Sequence, residues 1–196
     1  VIRVIKDGDG GATPLYIENV SNSDGYFSLN VREGAVKPNL IYRIDNGEWF
    51  EYDTTNLPVI VVPSGSKIYL KGNNPNGFEV NNLTWTMYFT FSTSFNIGGY
   101  LTSLLALDNF DTITDIPQYS FKYLFFRQNT LLNAKDLITD NIINVGNNGF
   151  YGTFKECTAL ITAPTFANVV TIGDSGMRDC FSKCENLIEP PQFNKA

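Results

Sequence analysis

Three groups of residues have the types and spacing that chemistry could use. Glu48 and Glu51 flank Trp49, and two carboxylates beside an indole are the raw material of a sugar-processing site, one acting as acid and the other as base or nucleophile. Cys157, Cys180 and Cys184 cluster near the C-terminal end. As thiolates they could hold a metal or close a disulfide; as neutral thiols they would behave as small apolar side chains. Lys6-Asp7-Gly8-Asp9-Gly10-Gly11 places carboxylates two residues apart, as the first half of a calcium loop does.

Each group meets an objection. Histidine is absent from the 196 residues, which removes the usual general base and the commonest zinc ligand. Three cysteines cannot complete a tetrahedral zinc shell, so a row of buried free thiols is the expectation. The Asp7/Asp9 segment lacks the later acidic ligand, which makes a flexible leader the expected reading. Glu48 and Glu51 should face solvent on a hairpin. The chain is therefore expected not to be an enzyme, and to need no cofactor or metal.

Fourteen basic and 20 acidic residues give a net charge of −6, and no run of Lys or Arg exists to neutralise phosphates, so nucleic acid is not an expected partner. The longest apolar run, Val59-Ile60-Val61-Val62, is fenced by Pro58 and Pro63, far short of the about 20 residues a membrane span needs. The chain starts at Val1, as would a protein whose signal peptide has been removed or one trimmed at its start. The sequons Asn19-Val20-Ser21 and Asn82-Leu83-Thr84 read as incidental.

The elements that must carry these residues are signalled by a repeat. FKECTALITAP, starting at Phe154, is echoed by FSKCENLIEPP, starting at Phe181, with Phe, Cys, Leu, Ile and Pro at the same offsets. Weaker copies start at Phe125, with Leu131, and at Phe95, with Leu101; the phenylalanines are 30, 29 and 27 residues apart. Ile113/Ile116, Ile142/Val145 and Val169/Ile172 precede the last three at fixed phase. Such a unit cannot bury its own apolar face and must stack on its neighbours. Each is expected to hold an irregular turn, such as Gly152 to Cys157, then a short strand, Leu160 to Phe166 or Leu187 to Phe193, kept brief by Pro164, Pro190 and Pro191.

The segment TIGDSGMRDCFSKCENLIEPPQF, with Ile172-Gly173-Asp174, Phe181, Cys184 and Leu187, resembles the leucine-rich repeats of the BspA-like family of bacterial surface and phage-encoded proteins. The resemblance covers residues 95–196 and weakens upstream, where Gln128 and Gly98 stand in the Cys position. It implies a right-handed solenoid with a strand-lined concave face, and binding of proteins rather than chemistry.

Before about residue 92 the pattern changes to strand-like runs at Leu15–Ile17, Tyr26–Leu29, Leu40–Ile44, Trp49–Tyr52, Val59–Val62 and Lys67–Leu70. Asp45-Asn46-Gly47 signals a type I′ hairpin. Short strands at this spacing predict an immunoglobulin-like β-sandwich, and the stretch is similar to modules that precede BspA-like repeats. The aromatic run Trp85, Tyr88, Phe89, Phe91 and Phe95 could form a carbohydrate platform; a strand burying one face at the junction fits its alternation better.

The sequence thus predicts a mainly β protein, with an immunoglobulin-like β-sandwich over 1–92 and a short right-handed BspA-like solenoid over 93–196. Its expected role is that of a non-catalytic, surface-displayed adhesion module, extracellular or on the cell surface, that binds a protein partner on its repeat face. The alternative is a phage virion or appendage subunit, a fibre or decoration protein whose repeat surfaces serve homo-oligomeric or larger assembly or host attachment. The open apolar end after Pro190-Pro191-Gln192-Phe193 favours assembly. With alternate side chains turned outward after each repeat leucine, the partner strip comprises Asn133, Lys135, Thr162, Pro164, Glu189 and Pro191. The rival position is the hairpin around Asn46 and Trp49.

Overall fold

A computed structural model describes residues 11–32, 35–78 and 87–193. The protein is mainly β, with several sheets. The strands are β1 (Leu15–Asn19), β2 (Gly25–Val31), β3 (Leu40–Ile44), β4 (Phe50–Glu51), β5 (Ile60–Val62), β6 (Lys67–Gly72), β7 (Met87–Phe91), β8 (Phe95–Tyr100), β9 (Asp115–Ile116), β10 (Leu131–Ile138), β11 (Asn144–Val145) and β12 (Thr171–Ile172). Short 3₁₀ helices cover Leu101–Leu104 and Phe110–Thr112.

Alternation of apolar and polar residues decides which faces are buried. In β1, β2 and β7 every second side chain is inside: Leu15 and Ile17, Phe27 and Leu29, Met87, Phe89 and Phe91. Burying one face of each strand is the step that fixes register, since a slip of one residue would turn the apolar set to water. Two sheets result, ordered β10-β8-β1-β6-β3-β4 and β5-β2-β7. Their inner faces meet where Phe27 packs edge-on against Tyr52, with Phe89 of its own sheet edge-on beside it. The Tyr52 hydroxyl accepts from the Leu29 N–H and donates to the Pro58 carbonyl, so the aromatic ring is buried with its polar tip satisfied.

The larger sheet does not stop at the expected change of pattern near residue 92. β8 pairs antiparallel with β1 and parallel with β10, joining early strands to a strand from the repeat region. Phe95 consequently lies beside Leu131, not in the row of Phe125, where the 30-residue spacing had put it. The residue that meets Phe125 at the head of that row is Phe89, edge-on at 5.7 Å.

The Asp45–Gly47 hairpin forms, joining β3 to β4, but not as a type I′ turn. The left-handed residue is Asp45, at φ 47°, while neither Asn46 nor Gly47 has a positive φ. The cause is a tertiary bond: the Asp45 carboxylate accepts the Lys67 N–H at 2.8 Å, and its own N–H donates to the Lys67 carbonyl.

In the repeat region, segments 117–128, 146–157 and 173–184 are chains of tight turns. Every fourth residue is left-handed: Tyr119, Tyr123 and Arg127, then Asn148, Gly152 and Glu156, then Ser175, Asp179 and Lys183. Backbone N–H groups alternate in their targets. Ser120, Lys122, Leu124 and Phe126 donate within their own segment to the residue three before. Tyr119, Phe121, Tyr123, Phe125 and Arg127 donate to Asn147, Gly149, Tyr151, Thr153 and Lys155 of the next segment. Irregular-looking chain thus satisfies its backbone as completely as a sheet would. On the buried side Phe125, Phe154 and Phe181 stack nearly parallel, at centroid distances of 5.4 and 5.1 Å. Ahead of the turns, β9, β11 and β12 form a short parallel sheet at the Ile116, Val145 and Ile172 positions.

Candidate functional site

The chemistry-bearing residues separate. Glu48 and Glu51 are exposed, but Trp49 between them is only 2% exposed. Its ring lies under the Arg43 guanidinium at 4.8 Å and the Lys71 ammonium at 5.0 Å. A buried indole covered by cations does not serve as a sugar platform, while Asn46 beside it on the hairpin is exposed. Asp7 and Asp9 lie outside the described residues, as do Trp85 and Asn82. Among the described residues no group of three or more His, Cys, Asp and Glu side chains could share an ion.

The cysteines form a row of free thiols. Cys157 Sγ donates to the Phe125 carbonyl and Cys184 Sγ to the Phe154 carbonyl, each at 3.0 Å, so one bond is repeated from segment to segment. Burial pushes all three thiols up, Cys184 to about 11 and the more enclosed Cys157 and Cys180 further, which disfavours the nucleophilic thiolate. Gln128 stands at the same repeat position one segment earlier. It accepts from the Phe91 N–H and donates to the Phe126 carbonyl, tying the row to β7 where a thiol would have been too short. Asn19, the first sequon, is fully buried; its amide donates to the Ser23 and Val62 carbonyls and its oxygen accepts from Ser21 and Thr93.

The six strip residues do lie in one region, but not with the alternation expected. Asn133, Thr162 and Glu189 are joined in a row by parallel bridges, and Asn96 extends it through a 3.3 Å bond from the Asn133 amide. Lys135 and Glu189 are exposed, Asn133 and Pro191 are half-buried, and Thr162 and Pro164 are buried. Thr162 and Pro164 therefore do not face outward. The reason is that the chain after each leucine is not a regular pleated strand. β10 carries register shifts on both sides of Asn133, and Leu160–Phe166 and Leu187–Phe193 form single bridges rather than strands.

The row that opens outward is one residue earlier: Leu132, half-buried, then Ile161 and Ile188, 39% and 77% exposed. With Ala159, Glu185, Asn186 and Leu187 they line a shallow groove of about 540 Å³. An aliphatic row left open to water across successive repeats is the unusual feature, since single exposed apolar residues need no explanation. The missed signal was legible: Leu132, Ile161 and Ile188 are the apolar neighbours immediately after the repeat leucines.

A second row was also missed. The Asn144 amide donates to Asp115 at 2.7 Å and the Thr171 hydroxyl donates to the Asn144 oxygen at 2.6 Å, a polar ladder along β9, β11 and β12. A third is ionic: Glu156 accepts from Arg127 at 2.8 Å and from Lys183 at 3.3 Å. Hydrogen bonding from Arg127 holds its carboxyl below the ordinary value. These rows close on themselves, whereas among the described residues the aliphatic row has no further apolar side chain covering it. Among the described residues no helix is long and apolar enough to cross a membrane. No protein-family model, curated protein or solved structure matches the chain.

Proposed function

We propose that the chain is a non-catalytic binding module of the BspA-like leucine-rich-repeat type. In this reading an immunoglobulin-like β-sandwich carries a short right-handed solenoid, displayed outside the cell, whose face recognises a protein. The observation that carries it is the open row Leu132–Ile161–Ile188, flanked by Lys135 and Glu189. A protein surface offers the matching combination of an aliphatic ridge and opposite charges at the rim. The groove is shallow, so an isolated copy binds weakly and gains strength by multivalent display.

Beads coated with the protein should adhere to epithelial cells, and trypsin treatment of the cells should abolish adhesion. The Ile161→Glu, Ile188→Glu double variant should lose adhesion while keeping its melting temperature within a few degrees. Adhesion that survives both treatments overturns the reading.

A second reading, a phage virion or appendage subunit, draws on a separate observation. Ile172, Ile188 and Phe193 are 41%, 77% and 39% exposed, although Phe193 stacks on Phe166. These apolar groups would suit contact with a like copy. Concentration-dependent oligomers in analytical ultracentrifugation, lost in Ile188→Glu with no cell adhesion by the parent protein, would favour it.

A further inference from the structure

A different set of residues makes a second groove, where the outer face of β7 meets the first chain of turns. It has a volume of about 380 Å³ and is lined by Tyr88, Thr90, Phe126, Arg127 and Gln128. That size lies within the range of small-ligand sites. We propose that this groove binds a neutral saccharide.

The lining is amphipathic at the scale of a single sugar ring. Tyr88 and Phe126 are half-buried aromatics that offer apolar surface to the C–H face of a pyranose. Between them stand a hydroxyl and an amide, the groups that pair with sugar hydroxyls as both donors and acceptors. The hydroxyl is held in place. The Asn30 amide donates to Thr90 Oγ1 at 2.6 Å, and Ser28 Oγ lies 3.1 Å from it. Gln128 is fixed by its bonds to Phe91 and Phe126, so the polar groups are pre-organised rather than ordered by the ligand.

Charge decides the class of sugar. Among the described lining residues the one ion is Arg127, which gives its Nε–H to Glu156 at 2.8 Å and lies over the Phe126 ring at 4.8 Å. Its Nε–H is engaged by Glu156 and the protein carries a net charge of −6, so a carboxylated or sulfated glycan meets long-range repulsion here.

The test is titration of the whole chain with cellotetraose, maltotetraose, mannotetraose and triacetylchitotriose, read by calorimetry and by saturation-transfer NMR, with trigalacturonate as the acidic control. Binding of at least one neutral probe is expected. Tyr88→Ala should weaken it at least tenfold and Thr90→Val several-fold. Thr90→Val is the variant that keeps shape and tests the hydroxyl, with unchanged melting as the check on folding. Three results would overturn the proposal: no neutral probe binding at millimolar concentration, tighter binding of trigalacturonate, or binding undiminished in both variants. None of these bears on the aliphatic row, whose variants leave the groove intact.

Discussion

At the level of single residues, the turn chains depend on backbone geometry that their side chains do not favour. Eight of the nine left-handed positions named above are not glycine, and each carries roughly 1 kcal/mol of conformational cost. In the first two segments that cost is offset by the bonds each turn donates to the next, and the third accepts such bonds from the second. Ser175 is exposed, so its substitution isolates the backbone term. Ser175→Val should destabilise by about 1–2 kcal/mol, since a β-branched side chain resists positive φ. Ser175→Gly should be neutral or slightly stabilising, and chemical denaturation of the pair measures both. The ionic row gives a pH signature. Glu156 has its carboxyl lowered in the folded state from an ordinary 4.5, first by the Arg127 hydrogen bond. Its contribution is therefore fully present above pH 4.5 and lost as pH falls through the depressed value. Glu156→Gln should lower the neutral plateau toward the acid value and so flatten the acid limb of a stability-versus-pH curve. The thiols act at the other end. Burial raises Cys184 from 9.0 to about 11, so unfolding is favoured by thiolate formation as pH rises above about 9, and the slope from this residue ends near 11. Cys184→Ala should remove that part of the alkaline decline.

At the level of elements, the stacked phenylalanines are the feature that sequence spacing located best. Phe154 is fully buried between Phe125 and Phe181. Phe154→Ala should cost about 3–5 kcal/mol, as buried Phe truncations do. Phe181 is only half-buried, so its truncation should cost less, and equal losses would mean that the row is not stacked in solution. Strand positions were equally legible before residue 72: Leu40–Ile44 coincides with β3, and the other runs overlap β1, β2, β4, β5 and β6. Alternation and turn residues were enough there because each strand buries one face. The left-handed grid was not legible as a grid: Asn148, Gly152 and Asp179 favour positive φ, but Tyr, Arg, Glu, Ser and Lys at the other positions carry no local signal for it. It is set by hydrogen bonds to residues 28 or 26 positions further along the chain. The strip failed for a related reason. Counting two residues per alternation assumes a pleat, and the register shifts around Asn133 break the count, so Thr162 turned inward and the aliphatic row outward.

At the level of the whole molecule, composition alone pointed to a mainly β protein, but not to the way its parts share a sheet. β8 lies between β1 and β10, and the helix after it is also built into the early strands. The Ser103 hydroxyl accepts from the Leu15 N–H and donates to the Leu70 carbonyl, and both bonds are buried. Leu101 and Leu104 belong to the same apolar core as Leu15, Ile17, Leu70 and Phe154. A fragment of residues 1–92 would therefore leave the hydrogen-bonding edge of β1 unpaired and strip the core of Phe95, Ile97, Leu101 and Leu104. An open apolar edge of that kind templates aggregation. Residues 1–92 expressed alone should be insoluble or lack a cooperative thermal transition, while residues 1–106, which retain β8 and the helix, should recover solubility. Circular dichroism melts and size-exclusion chromatography distinguish the two. A well-folded 1–92 fragment would mean that β8 merely rests on a sheet complete without it. Recovery only on extension past residue 138 would mean instead that β8 must itself be held by β10, making the first turn segment part of the unit that folds with the N-terminal strands.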